Sequence, residues 1–213
     1  MITAAEMKAL EEQAVQDGIS VQELMENAGK KVYETIKAKF ELGGHQIVIF
    51  AGQGNNGGDG FVAARYFAEE APVVVLFFGD KEKLSEEAEL NYNKIQESVP
   101  ILDIRDEEDL KNIRLQKSLN YIFVDALLGT GVKGKIREPF SFGIDLFNSE
   151  KAIKIAVDLP SGLNPDTGEV EDKACEVDLI VCFHDLKKGL EKFEGKTEIV
   201  DIGLDPEVKV GPL

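Results

Sequence analysis

The chain has 213 residues, 43% hydrophobic and 30% charged, enough for one large domain or two small ones around a substantial core. Its formal net charge of −16 excludes a general affinity for nucleic acid or for an anionic membrane. Its longest apolar runs are too short to span a membrane, and the polar run after Met1 lacks signal-peptide character, so the expected compartment is the cytoplasm. Cys175 and Cys182 form no CxxC pair and read as buried thiols in a reducing environment.

In chain order, Thr3 can cap a helix and Glu6 completes a capping box, with Met7, Leu10, Ala14 and Val15 as its apolar stripe until Asp17-Gly18. Ser20 caps a second helix, with Glu23 at the box position and Val21, Leu24, Met25, Ala28, Val32 and Ile36 facing inward. Gly29 interrupts that helix at a cost of about 1 kcal/mol against alanine, which points to a close backbone contact. Residues 48–50 predict a buried strand, followed by five glycines within residues 52–60. From Phe61 the spacing of Phe61, Ala64, Arg65 and Ala68 predicts a helix.

A strand, a glycine-rich turn and a helix N-terminus together make a cradle of free N–H groups suited to phosphate. Gly52-x-Gly54-x-x-Gly57 also satisfies the dinucleotide fingerprint. A plain pyrophosphate turn has no need of the side-chain carbonyls of Asn55 and Asn56 or the carboxylate of Asp59. Those oxygens point to a bound cation or to acid–base work.

Residues 73–78 form a continuous apolar run, typical of a parallel strand covered on both faces, and Gly79-Asp80 ends it. An amphipathic helix is expected over 85–97 with Leu90 and Ile95 inward, a short strand over 101–104, and a charged surface helix over 106–117. The strand at 121–124 ends at Asp125 and leads to a second glycine-rich loop, 129–135. A helix is expected over 140–148, then a strand at 153–157 ending at Asp158 and a tight turn over 159–164. Strands at 179–183 and 198–202 complete the set. The alternation predicts an α/β fold, a three-layer α/β/α sandwich with a mainly parallel central sheet, as one domain over 1–213. In such sheets ligands bind beyond the carboxyl ends of the strands, so the loops after Phe50, Val124 and Val157 should gather at one edge.

Asp125 and Asp158 each follow an apolar strand, where a carboxylate costs stability unless it is paired; each can be a structural cap or a functional acid. Lys133 and Lys135 can meet a phosphate or stay solvated. Asn56, Asp125 and Ser161 offer hard oxygens with one negative charge between them, which suits an alkali cation; Mg²⁺ with substrate phosphate stays open. His45 and His184 join no constellation.

The runs Asn55-Asn56-Gly57-Gly58-Asp59-Gly60, Val124-Asp125-Ala126-Leu127-Leu128-Gly129-Thr130-Gly131 and Val157-Asp158-Leu159-Pro160-Ser161-Gly162 closely resemble the YjeF N-terminal domain family of NAD(P)H-hydrate epimerases. Leu24-Met25-Glu26-Asn27-Ala28-Gly29 is similar to that family's N-terminal helix, and the likeness runs over residues 1–205. The resemblance implies a Rossmann-like fold, a homodimer, and interconversion of the R and S forms of hydrated NADH and NADPH (NADHX and NADPHX). Its functional partner would be an ADP- or ATP-dependent dehydratase specific for the S form. That domain is not in this sequence, which would be a stand-alone epimerase or an excised domain.

Carried over, the substrate contacts are Asn55, Asn56, Gly57, Gly58 and Asp59, then Gly129, Thr130, Gly131, Val132, Lys133, Gly134 and Lys135, and Asp158. One K⁺ per subunit would be held by Asn56, Asp125 and Ser161. Inverting a carbinolamine carbon needs a group that both gives and takes a proton, with Asp158 the first candidate and Asp125 the second. The rival readings are an NAD(P)-dependent oxidoreductase, with Asp80 on the ribose, and a non-catalytic nucleotide- or protein-binding module. The presence of Asp59, Asp125 and Asp158 together favours catalysis.

Overall fold

The elements of the computed structural model, which describes residues 1–131 and 134–205, are α1 (Ala4–Gln16), α2 (Val21–Lys39), β1 (His45–Ala51), α3 (Asn55–Phe67), β2 (Val73–Phe78), α4 (Glu86–Ile95), β3 (Ile101–Ile104), α5 (Glu107–Asn112), β4 (Asn120–Ala126), α6 (Phe140–Ser149), β5 (Ile153–Val157), β6 (Leu179–Phe183) and β7 (Thr197–Val200). The strands form one seven-stranded sheet in the order β3-β2-β1-β4-β5-β6-β7. Every pairing is parallel. The order reverses between β1 and β4, so the connections leaving these neighbours diverge and open a crevice beyond their carboxyl ends.

Successive strand residues point to opposite faces, and here both faces are covered, which is why β2 and β6 read as unbroken apolar runs. Ile47 and Ile49 of β1 pack with Val75 and Phe77 under α2 and α3, through Val32, Ile36, Phe61 and Phe67. Val48 and Phe50 join Phe78, Phe123 and Phe147 on the other face, against α6. Phe50 stands 5.0 Å from Phe123 and 5.1 Å from Phe147, ring to ring. Those two cores make the three layers.

The N-terminal caps form as expected. Thr3 Oγ1 accepts from Glu6 N at 3.1 Å and Glu6 Oε2 accepts from Thr3 N at 2.7 Å, while Ser20 Oγ accepts from Glu23 N at 3.1 Å. Three expectations change. Helix α3 starts at Asn55, not Phe61, so Gly57, Gly58 and Gly60 lie within its first two turns. The charged segment after Asp106 is helical only over Glu107–Asn112. Leu90 is 49% exposed, and α4 buries Ala88, Asn91, Tyr92 and Ile95 instead.

Gly29 has the close contact its position suggested. A Cβ there would lie 2.4 Å from Val62 Cβ and 2.6 Å from Asp59 O, on the facing surface of α3. Gly29→Ala is expected to destabilise the protein by about 1–3 kcal/mol through overpacking, outweighing the propensity gain of about 1 kcal/mol. Denaturant unfolding measures this. A variant as stable as the parent would show that the helices are not locked at that point.

Candidate active site

The crevice begins where β1 turns into α3. Gly52 N donates to Ala126 O at 2.9 Å, tying the turn to the end of β4. A Cβ on Gly57 would sit 1.9 Å from Gly52 O, so only glycine lets the first turn of α3 fold back so closely onto β1. Gly54, the N-cap, supplies no side-chain hydrogen bond. The amide groups of that turn and the positive end of the helix dipole are therefore free to meet an anion. Asn55, Asn56 and Asp59 line the cleft, whereas Gly57 and Gly58 are buried and bring the helix close without lining it.

Asn56 and Ser161 meet at the backbone of Leu128, and Asp125 joins them through Ser161. Asn56 Nδ2 donates to Leu128 O at 3.1 Å, and the Ser161 hydroxyl lies 3.2 Å from that same oxygen while accepting from Leu128 N at 2.9 Å. Asp125 is fully buried. Its Oδ2 accepts from Ser161 N at 2.7 Å, and its Oδ1 from Ser161 Oγ at 2.5 Å and Leu127 N at 3.2 Å. Burial pushes its pKa up, against the lowering effect of those bonds and of the Cys175 thiol. Both cysteines are buried and free. The cluster thus offers an amide, a carbonyl, a hydroxyl and one carboxylate, with the Asn56 amide presenting Nδ2 to Leu128 O. Hard oxygens with a single charge fit a monovalent ion. Among the described residues no cluster of three or more His, Cys, Asp or Glu could hold a metal ion.

The cleft itself has a volume of about 930 Å³, near the upper end for a small-molecule site. One wall is α1 with the start of α2; the other is formed by Asn55, Asn56 and Asp59, by Gly129, Thr130 and Gly131, and by Asp158. Asp59, 9% exposed, has its pKa pushed well above the usual carboxylate range by burial, then by the charges of Asp158 and Glu11. Asp158 differs: its Oδ1 accepts from Phe183 N at 3.0 Å and from the ammonium of Lys187. Lys187 is fully buried and also donates to Phe183 O at 2.8 Å. Burial opposes its charge, but Asp158 leads the interactions that lift its pKa above the ordinary lysine value. The cleft thus holds two carboxyl groups in different environments, one buried with its pKa raised and one paired with a lysine.

Of the other expected contacts, Gly134 and Lys135 are exposed and lie outside the cleft lining, and Val132 and Lys133 fall outside the described residues. Asp125 does not line the cleft. Asp80, the ribose candidate of the oxidoreductase reading, accepts from Glu82 N and pairs with Lys83 at the surface. Sequence reasoning missed Glu11, Lys187 and the 164–166 turn, whose Asp166 accepts from Ala4 N at 2.8 Å and seats α1 on the cleft. A lysine following the β6 strand and next to a second lysine carries no local mark of burial.

The family model described as "YjeF-related protein N-terminus" matches residues 21–189. A protein named NAD(P)H-hydrate epimerase from Nitrosopumilus maritimus is 36% identical over 218 residues, covering 100% of this chain and 99% of its own. A second of that name, from Cenarchaeum symbiosum, is 35% identical over 218 residues with the same coverage. The "Bifunctional NAD(P)H-hydrate repair enzyme Nnr" of Methanothermobacter thermautotrophicus is 40% identical over 209 residues; the match covers 92% of this chain and 39% of that longer protein. The crystal structure of the yeast protein ynu0, YNL200c, superposes with a TM-score of 0.82 at 22% identity, over 99% of this chain and 96% of that one, which shows a shared fold.

Proposed function

The chain belongs to the YjeF-related N-terminal family, and on that premise we propose that it is an NAD(P)H-hydrate epimerase, an isomerase that interconverts the R and S hydrates of NADH and NADPH in cofactor repair. The observation that carries the reading is the presence of a buried Asp59 and a lysine-bound Asp158 in the lining of one dinucleotide-sized cleft. The hydrated carbon is a carbinolamine next to the ring nitrogen. Its configuration is lost either when the hydroxyl leaves as water or when the ring opens, and it returns inverted when the bond re-forms on the other face. Both routes need one group that gives a proton and one that takes it. Asp59 is the donor, and Asp158 the acceptor and the counter-charge to positive charge developing on the ring. The open N-terminus of α3, with Asn55 and Asn56, is the seat of the pyrophosphate.

Asn56, Asp125 and Ser161 are the residues that would hold potassium. A potassium ion held by them would supply a fixed positive charge. Asp125 in this reading fastens the turns after β4 and β5 and moves no proton.

The test supplies the R hydrate to an S-specific, ADP- or ATP-dependent dehydratase and follows the returning absorbance of the reduced nicotinamide. Adding this chain is expected to accelerate repair, more strongly in KCl than in tetramethylammonium chloride of equal ionic strength. No acceleration in either salt refutes the epimerase. Equal acceleration in both refutes the potassium site alone.

A further inference from the structure

A fully buried ammonium is unusual, because desolvation drives an unpaired one to lose its proton. Lys187 Nζ is held by Asp158 Oδ1 and Phe183 O, and its backbone is held as well. Lys188 N donates to Ile2 O at 3.1 Å and Ile2 N to Leu186 O at 2.9 Å, in a parallel bridge that precedes α1. Asp158 is fixed from its own side. Its N donates to Val181 O at 2.8 Å, and it adopts φ 64°, as does His184 in the turn that leads to Lys187. Non-glycine residues in the left-handed region are strained and cluster where function requires them. A buried ion pair is seldom better for stability than two apolar side chains of equal volume. Strain and buried charge thus meet on one cleft residue without a stability reason.

Resting on the epimerase reading, we infer that Lys187 is a positioning residue that decides which of the two cleft acids carries the proton. Two carboxyl groups that sense one another do not both ionise readily. Lys187 contacts Asp158 and not Asp59, so it breaks their equivalence. With the Lys187 ammonium on its Oδ1, Asp158 is the acid favoured as the anion, and Asp59 is the one left to carry the proton. Glu11 on α1 adds negative charge toward both acids, and the Cys182 thiol, pushed up to about 11 by burial, lies beside the pair as a neutral group.

In Lys187→Met, Asp158 would protonate more readily and the division of roles would blur. The acid limb of the kcat/KM–pH profile is expected to move up by about one pH unit or more, with kcat at neutral pH at least about tenfold lower. A merely structural lysine would lower activity without moving that limb, and an unmoved limb overturns the inference. Should this variant not fold, carboxyl-carbon NMR titration of the unaltered protein decides, with resonances assigned through Asp59→Asn. Asp59 is expected to hold its proton through neutral pH while Asp158 is ionised, and the reverse order overturns the inference. Absence of epimerase activity in the unaltered protein would instead remove the reading on which it rests.

Discussion

Replacing Asp158 with asparagine is expected to lower kcat/KM for epimerisation by about 10²–10⁴-fold. It is also expected to destabilise the fold by roughly 3–5 kcal/mol, because one partner of a buried ion pair is gone. Asparagine keeps the volume and can still accept from Phe183 N, now 3.0 Å from Asp158 Oδ1, but it cannot take a proton and it leaves the Lys187 charge unpaired. At about 2–4 °C per kcal/mol for a chain of this size, the melting temperature should fall by roughly 10 °C. The pH dependence has a definite sign. The pair raises the pKa of Lys187, so its stabilisation is intact at neutral pH and is lost as alkaline pH rises through that raised value. The double variant Asp158→Asn/Lys187→Met should recover most of the stability and none of the activity. Turnover retained in Asp158→Asn would move the proton-accepting role to another group.

What the sequence allowed follows from which interactions are local. The strands were legible because both faces of a parallel sheet are covered, so Val73–Phe78 is an unbroken apolar run and Ile153–Val157 is interrupted only by Lys154. The starts of α1 and α2 were legible because Thr3 with Glu6 and Ser20 with Glu23 close their caps within four residues. The start of α3 was hidden. Its glycines are poor helix formers, and the folding of Gly57 onto Gly52 is a tertiary contact that propensity does not record. Asp125 looked like a residue past the end of its strand but lies within β4, paired in register with Phe50 of β1 and Ala156 of β5. That register hides its carboxylate. The alternation of elements implied that the three loops would share an edge, so Asn55, Asn56, Asp59 and Asp158 could be named from the chain alone. Lys187 could not. Its burial depends on Asp158, and Asp158 is distant along the chain and close only across the turns after β5 and β6.

Asp59→Asn should separate stability from activity in opposite directions. Asp59 is buried, and burial followed by the charges of Asp158 and Glu11 pushes its pKa well above the usual carboxylate range. An unfolded chain ionises that aspartate in mild acid while the folded chain still holds the proton. The folded state therefore binds more protons between the two pKa values, and stability falls as pH rises through that window. At low pH the penalty is absent; at neutral pH it bears on the parent protein. Asparagine has a similar shape, cannot ionise and carries no penalty, so the variant should be more stable than the parent at neutral pH, and its melting temperature should change less between mild acid and neutrality. Epimerisation should nevertheless fall by about 10²–10⁴-fold, since the transferable proton is gone. Asp125→Asn is the control, because Asp125 accepts from Ser161 N, Ser161 Oγ and Leu127 N, and its replacement should lose stability and gain none. Thermal unfolding across pH, read beside the dehydratase-coupled assay, tests both variants. A destabilised Asp59→Asn at neutral pH would mean that this carboxyl is held by favourable contacts and does not serve as the strained, proton-loaded acid of the cleft. A stabilised but inactive one would show that the protein gives up folding free energy at this position to keep its donor neutral.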